Sequence, residues 1–171
     1  MQLQYQAARP GTDLLLLPRN TLDLDAAVKR AKTLVTRRAA VASVASLVPI
    51  PGLDIAVDIA AIMKLIPAIN GEFGLTPAQI SRLSTGNQLL IYKSIVAVGS
   101  IMIGKLVTKE IAIVVLKTVG VRLTVKQIGK YVPVAGQALA VALGFAAMKY
   151  VGHQHIMDCR RVIETTLPRA C

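Results

Sequence analysis

The chain has no tryptophan, two phenylalanines and four tyrosines, so aromatics make up 4% of its 171 residues. Neither an aromatic RNA-binding signature nor zinc-finger spacing is present, which argues against a nucleic-acid module. Cysteine is as scarce: Cys159 and Cys171 are the only two, both late in the chain. Two cysteines build no disulfide framework, and they fit synthesis in a reducing cytoplasm. Carboxylates are few, 9 against 20 lysines and arginines, and the net charge is +11. All charged residues together reach 17%, below the roughly 25% of an average soluble domain. The start, Met1-Gln2-Leu3-Gln4-Tyr5-Gln6, lacks the basic segment, apolar run and cleavage site of a signal peptide. The ending Pro168-Arg169-Ala170-Cys171 is not a prenylation box. No Ser/His/Asp or Cys/His signature supports nucleophilic catalysis. The chain is therefore expected to be no enzyme and to hold no cofactor and no metal.

What is abundant is aliphatic. Hydrophobic residues reach 54%, mostly Ala, Val, Ile and Leu, and the mean hydropathy is +0.57. The length suffices for one domain with its own core. A basic surface seeks anionic partners, and an anionic bilayer explains charge and hydropathy together. The expected fold is all-α, a compact and membrane-prone bundle of about six helices with helical hairpins. Residues 1–20 read as an irregular polar leader and 21–171 as a single helical domain. Its apolar helices are expected at about 39–48, 53–68, 87–117 and 133–152.

Thr21 or Asp23 can cap the first helix. Its first half carries Lys29, Arg30, Lys32, Arg37 and Arg38, and its second half, Ala39 to Val48, has no charge. Such a polybasic-to-apolar junction suits a membrane surface; it also suits a solvated helix entering a core. Pro49, Pro51 and Gly52 then interrupt the helix, because proline lacks a donor and restricts its predecessor. A tight elbow is expected, followed by Asp54 and Asp58, four apart on one helical face. Pro67 is expected to interrupt the second helix, with a loop from Asn70 to Leu75. Thr76-Pro77-Ala78-Gln79 has the residues of a capping box with proline at the first position. Apolar helix is expected between Asn87 and about Lys117, a turn at Thr118-Val119-Gly120, and a last helix from near Pro133 to about Thr166.

The run Pro49-Ile50-Pro51-Gly52-Leu53-Asp54-Ile55-Ala56-Val57-Asp58, with Phe73-Gly74-Leu75 downstream, resembles the helical region after the G domain in immunity-related GTPases. It is equally similar to the membrane-associated helical domain that follows the GTPase in some bacterial proteins. Val132-Pro133-Val134-Ala135-Gly136 and the helix reaching Tyr150-Val151-Gly152 resemble the close of that bacterial domain. The likeness covers about residues 39–155. It implies an all-helical, membrane-prone module without catalytic residues, which belong to the absent G domain.

The strongest expected membrane element is the first half of the last helix. From Tyr131 to Met148 lie 18 residues without a charge, near the roughly 17–25 a spanning helix needs. Pro133 opens it, Leu143 lies near its middle, and Lys149 can snorkel to the interface. Gly136, Ala140 and Gly144 form a small-residue row that lets helices approach closely in lipid. A central helix of a soluble bundle would show the same row. Its second half, with His153, His155, Asp158 and Cys159, reads as an exposed polar half-helix rather than a zinc site, which needs more ligands. Gly99 to Lys105 matches G-x-x-x-x-G-K, but Leu106 stands where a phosphate loop needs Ser or Thr. Nucleotide binding is not expected.

Together these features point to a membrane-active helical protein, in the manner of a bacterial pore-forming toxin or secreted effector domain. The alternatives are a non-enzymatic helical interaction or regulatory module, and a resident inner-membrane immunity or anchoring protein. The expected partners are an anionic phospholipid membrane, further copies of the chain, and a cognate immunity or chaperone protein; nucleic acid is not expected. Synthesis is expected in the cytoplasm, with action at or in the inner membrane, including after secretion into a target cell.

Overall fold

The computed structural model of the chain describes residues 17–45, 53–105, 107–122 and 133–167. These residues form helices and no strand: α1 Thr21–Ala45, α2 Leu53–Glu72, the single turn α3 Pro77–Ile80, α4 Thr85–Val98, α5 Lys109–Arg122 and α6 Pro133–Glu164. The elbow residues Pro49, Pro51 and Gly52 lie outside the described residues. So do the side chains of Asp54 and Asp58, although both belong to α2.

The buried positions of α1 are Leu24, Ala27, Val28, Ala31, Val35 and Ala39. They recur at three- and four-residue spacing, so they make one stripe. Small residues in that stripe let α6 pack closely along it, and the α1–α6 pairing is the most extensive in the fold. Asn20, rather than Thr21 or Asp23, caps α1: its Oδ1 accepts from the Asp23 amide at 2.8 Å. Asp23 sits instead in the first turn, where its carboxylate accepts from the Arg19 amide at 3.3 Å. α2 completes the core with Ile59, Ile62, Leu65, Ile66 and Ile69, all buried. α4 packs on α6, and α5 packs on α2 and α6.

Three boundaries differ from the sequence expectation. α2 does not break at Pro67 but continues to Glu72. Proline in a helix leaves the carbonyl four residues back, here that of Met63, without its donor. The next carbonyl, of Lys64, accepts from the Arg38 guanidinium of α1, so a neighbouring helix supports the perturbed turn. The expected loop at Asn70 is therefore still helix. α2 ends at Glu72 and the chain turns at Gly74, with φ of 74°, where the Leu75 amide donates to the Asn70 carbonyl at 2.8 Å and the Gly74 amide to the Gly71 carbonyl at 3.3 Å. That pattern is a Schellman stop, and it needs a residue at ease in the left-handed region. Finally, Thr118, Val119 and Gly120 are helical within α5 rather than a turn.

The capping box at α3 forms as expected. Thr76 Oγ1 accepts from the Gln79 amide at 3.2 Å, and Gln79 Oε1 accepts from the Thr76 amide at 3.1 Å.

Candidate functional site

The basic residues of α1 divide by what they touch. Lys29, Lys32 and Arg37 are exposed. Arg30 pairs with Glu72 of α2 at 2.7 Å. Arg38 is half-buried and holds the Lys64 carbonyl. Lys149 of α6 joins this surface, donating to Thr36 Oγ1 at 3.1 Å and lying 5.9 Å from the Phe145 ring centre. One face of the α1–α6 pair is thus cationic, as the charge pattern of α1 implied.

α6 reverses the polarity the sequence suggested. Its polar second half is the buried spine: Val151, His155, Ile156, Cys159, Val162 and Ile163 are all inside. Its uncharged first half has much of its described surface outside, with Ala142, Gly144 and Ala146 exposed and Phe145 half-buried. The expectation that residues 153–159 form an exposed polar half-helix is therefore wrong for His155 and Cys159, which face the α1–α2 core. Pro133, Gly136, Ala140 and Leu143 are helical, and their side chains lie outside the described ones. The expected span 131–148 begins outside the described residues. A Cβ placed on Gly144 would meet no atom of the described residues within 4 Å, so among them nothing packs against this end of the small-residue row. The close approach occurs at Gly152 instead, where a Cβ would stand 2.6 and 2.7 Å from the two Val35 methyls. Gly152 lies beyond the uncharged run, so the small-residue row within that run does not include it.

The buried histidine belongs to a compact polar knot. Asn70 donates through Nδ2 to the Met102 carbonyl at 3.0 Å. That fixes its amide orientation, so Oδ1 faces α6 as an acceptor. His155 Nε2 lies 2.8 Å from that oxygen and must donate to it, and the Cys159 thiol donates to it at 3.5 Å. His155 Nδ1 then carries a lone pair in the core with no hydrogen-bond partner. Burial holds the imidazole neutral, with its pKa lowered to about 4. Burial, with Asp158 nearby, pushes the Cys159 thiol well up. Cys, His and Asn side chains meet here, but the thiol and the amide oxygen approach the same ring nitrogen. No relay through the two nitrogens exists, and a buried high-pKa thiol is a poor nucleophile. The knot ties α2, the loop after α4, and α6. Asp158 turns away to Arg161 at 3.5 Å; desolvation raises its pKa against that ion pair. Among the described residues no three His, Cys, Asp or Glu side chains gather to hold a metal.

The G-x-x-x-x-G-K segment follows a helix, not a strand. Gly99 closes α4, its amide bonded to the Ile95 and Val96 carbonyls at 3.0 and 3.1 Å. Ile103 is buried, and the next helix opens only at Lys109. A phosphate loop requires a helix starting at its Gly-Lys so that the amides converge, which this geometry lacks. Leu106 lies outside the described residues.

A further surface was not singled out in the sequence. α4 buries only Ile91, Ser94 and Ile95, with Ser94 Oγ accepting from Thr165 at 2.7 Å. Its outward face is apolar: Leu89 is 55% exposed and Val96 79%, with Leu90 and Tyr92 beside them. Lys93 is the only charge on the helix. From Phe73 to Lys109 the chain has no carboxylate at all, and Arg82, Lys93, Lys105 and Lys109 are its charges. The signal was readable as a helix apolar on every side. Among the described residues a single stretch, Ile59–Ile80, is long and apolar enough by composition to cross a bilayer. It is not one straight helix, since α2 ends at Glu72 and the chain turns at Gly74, and half of it is buried.

Comparison with family models, with curated proteins and with solved structures finds no match for this chain.

Proposed function

We propose that this is a membrane-active helical protein that docks on anionic bilayers and permeabilises them, as a bacterial pore-forming toxin or secreted effector domain does. The observation that carries this reading is the outward face of α4. A helix with Leu89, Leu90, Tyr92 and Val96 exposed and no acidic residue matches the chemistry of a headgroup–acyl boundary, where Tyr and Lys sit comfortably. The cationic α1 face supplies attraction of about 1 kcal/mol per Lys or Arg near an anionic surface. The uncharged half of α6 is the element we assign to insertion, with Gly136, Ala140 and Gly144 packing helix against helix in lipid. Action at the inner membrane, assembly of several copies in the pore, and a protective immunity or chaperone partner belong to this reading. The likeness to GTPase-linked membrane-associated domains agrees with it.

Vesicle binding and dye release test it. Wild-type protein should sediment with vesicles rich in phosphatidylglycerol and release their contents, and high salt should weaken docking. Leu89→Asp with Val96→Asp should lose both activities while keeping the fold, because both side chains are outside. Gly144→Leu should keep folded stability, because nothing among the described residues lies against that position, yet stop dye release without stopping docking. Protein that neither binds nor breaches vesicles at any concentration would end this reading. The same α4 face would then serve a non-enzymatic interaction module whose partner is another protein.

A further inference from the structure

Two hollows lie side by side along α1 and α2, and they share Arg37 and Arg38 as a common wall. The first, about 510 Å³, is cationic: Lys29, Arg30, Arg37 and Arg38 line it against the single acid Glu72. Glu72 is already engaged by Arg30 at 2.7 Å. Among the described residues, Lys29 and Arg37 make no ion pair. The second hollow, about 390 Å³, is floored by Val41, Ala42, Ala60, Ala61 and Met148, with Lys64 beside them and no carboxylate among the described residues. Its volume falls within the range of small-ligand sites, roughly 300–1,000 Å³.

A cationic hollow beside an apolar one, with two arginines lining both, has the layout of an amphiphile, anionic at one end and alkyl at the other. Arginine suits the anionic end, because its planar fork meets phosphate oxygens two at a time. Arg38 is pre-set for this role, since its bond to the Lys64 carbonyl fixes the side chain between the two hollows. The alanines set the width of the second hollow: Ala42, Ala60 and Ala61 leave room that larger side chains would fill. A nucleic acid would use the cations but has no alkyl chain for the apolar floor.

We propose that this groove binds one anionic phospholipid, with its phosphate held by Lys29, Arg37 and Arg38 and an acyl chain laid over Ala60, Ala61 and Met148. The inference deepens the membrane reading by naming the lipid that α1 engages. It differs from that reading in being a single-molecule site, present without a bilayer.

The test uses dihexanoyl phosphatidylglycerol below its micelle concentration, with the full-length protein. Binding is followed by calorimetry and by the ¹³C-methyl resonance of Met148. Saturable one-to-one binding with a shift of that methyl is expected. Dihexanoyl phosphatidylcholine, inorganic phosphate and hexanoate should each bind at least about tenfold more weakly, since each lacks either the net charge or half of the contacts. Arg37→Gln removes an exposed cation and should weaken phosphatidylglycerol about fivefold. Ala60→Phe should block the chain without touching the phosphate, because Ala60 is exposed. Lys117→Gln, an exposed position on α5, should leave this binding unchanged. Equal binding of phosphatidylcholine, hexanoate or a short RNA, or no movement of Met148, overturns the site. If the short-chain lipid does not bind while anionic vesicles are still breached, the site falls and the membrane reading stands. If it binds and vesicles stay intact, the site stands and permeabilisation falls.

Discussion

Acid should loosen this fold through one residue. His155 is fully buried, donates to Asn70 through Nε2, and has no partner for Nδ1. Protonation would place a charge and an unsatisfied N–H inside the core, so burial lowers the pKa to about 4 from the ordinary 6.5. The sign follows from linkage: where the unfolded chain binds a proton that the folded chain refuses, stability falls as pH falls. The full contribution is therefore present above pH 6.5 and is lost between that pH and about 4. The gap of about 2.5 units corresponds to about 3 kcal/mol, of which about 2 kcal/mol is gone by pH 5. Asp158 acts in the opposite direction, because desolvation raises its carboxyl pKa and the folded form takes up a proton first. Guanidinium unfolding at pH 7.5, 6 and 5 measures the loss in wild type. His155→Gln retains a donor for Asn70 and does not titrate, so its loss over the same range should be about 2 kcal/mol smaller. Equal losses in wild type and His155→Gln would refute the assignment.

Gly152→Ala should destabilise the fold. Its new methyl would collide with both Val35 methyls, and Val35 is buried and stiff. Overpacking of about 1–3 kcal/mol exceeds the gain of about 1 kcal/mol in helix propensity. Adding Val35→Ala should recover part of the loss, and a double-mutant cycle showing no coupling would contradict the close crossing. Nucleotide should not bind: a fluorescent GTP or ATP analogue should give no saturable signal with magnesium. Micromolar binding abolished by Lys105→Ala would show that the segment after α4 rearranges into a phosphate cradle.

The capping box at Thr76 and the long last helix from Pro133 were legible because each rests on local chemistry. Tertiary contacts decided the rest. Pro67 reads as a break in any isolated helix, and only Arg38 from α1 shows why α2 runs through it. Asn70 looked like a loop residue, yet a glycine four positions later closes the helix and leaves its side chain inside. The burial of α6 is hidden for a different reason. Positions 148, 151, 155, 159 and 162 repeat at helical spacing, but the polar character of His155 and its neighbours masks that phase. The groove along α1 and α2 joins residues from distant parts of the sequence, including Glu72 and Met148, so no local pattern could announce it. The basic half of α1, in contrast, was visible from composition and spacing alone.

The run from Phe73 to Lys109 contains no carboxylate and no histidine. Its charges are Arg82, Lys93, Lys105 and Lys109, all of one sign. The group that protons act on, His155, lies elsewhere, inside the packing of α2 and α6. Under the proposed membrane reading, salt and lipid charge would govern docking through the exposed cations, while acid would act on the core. Screening salt and falling pH are then two independent handles on one molecule.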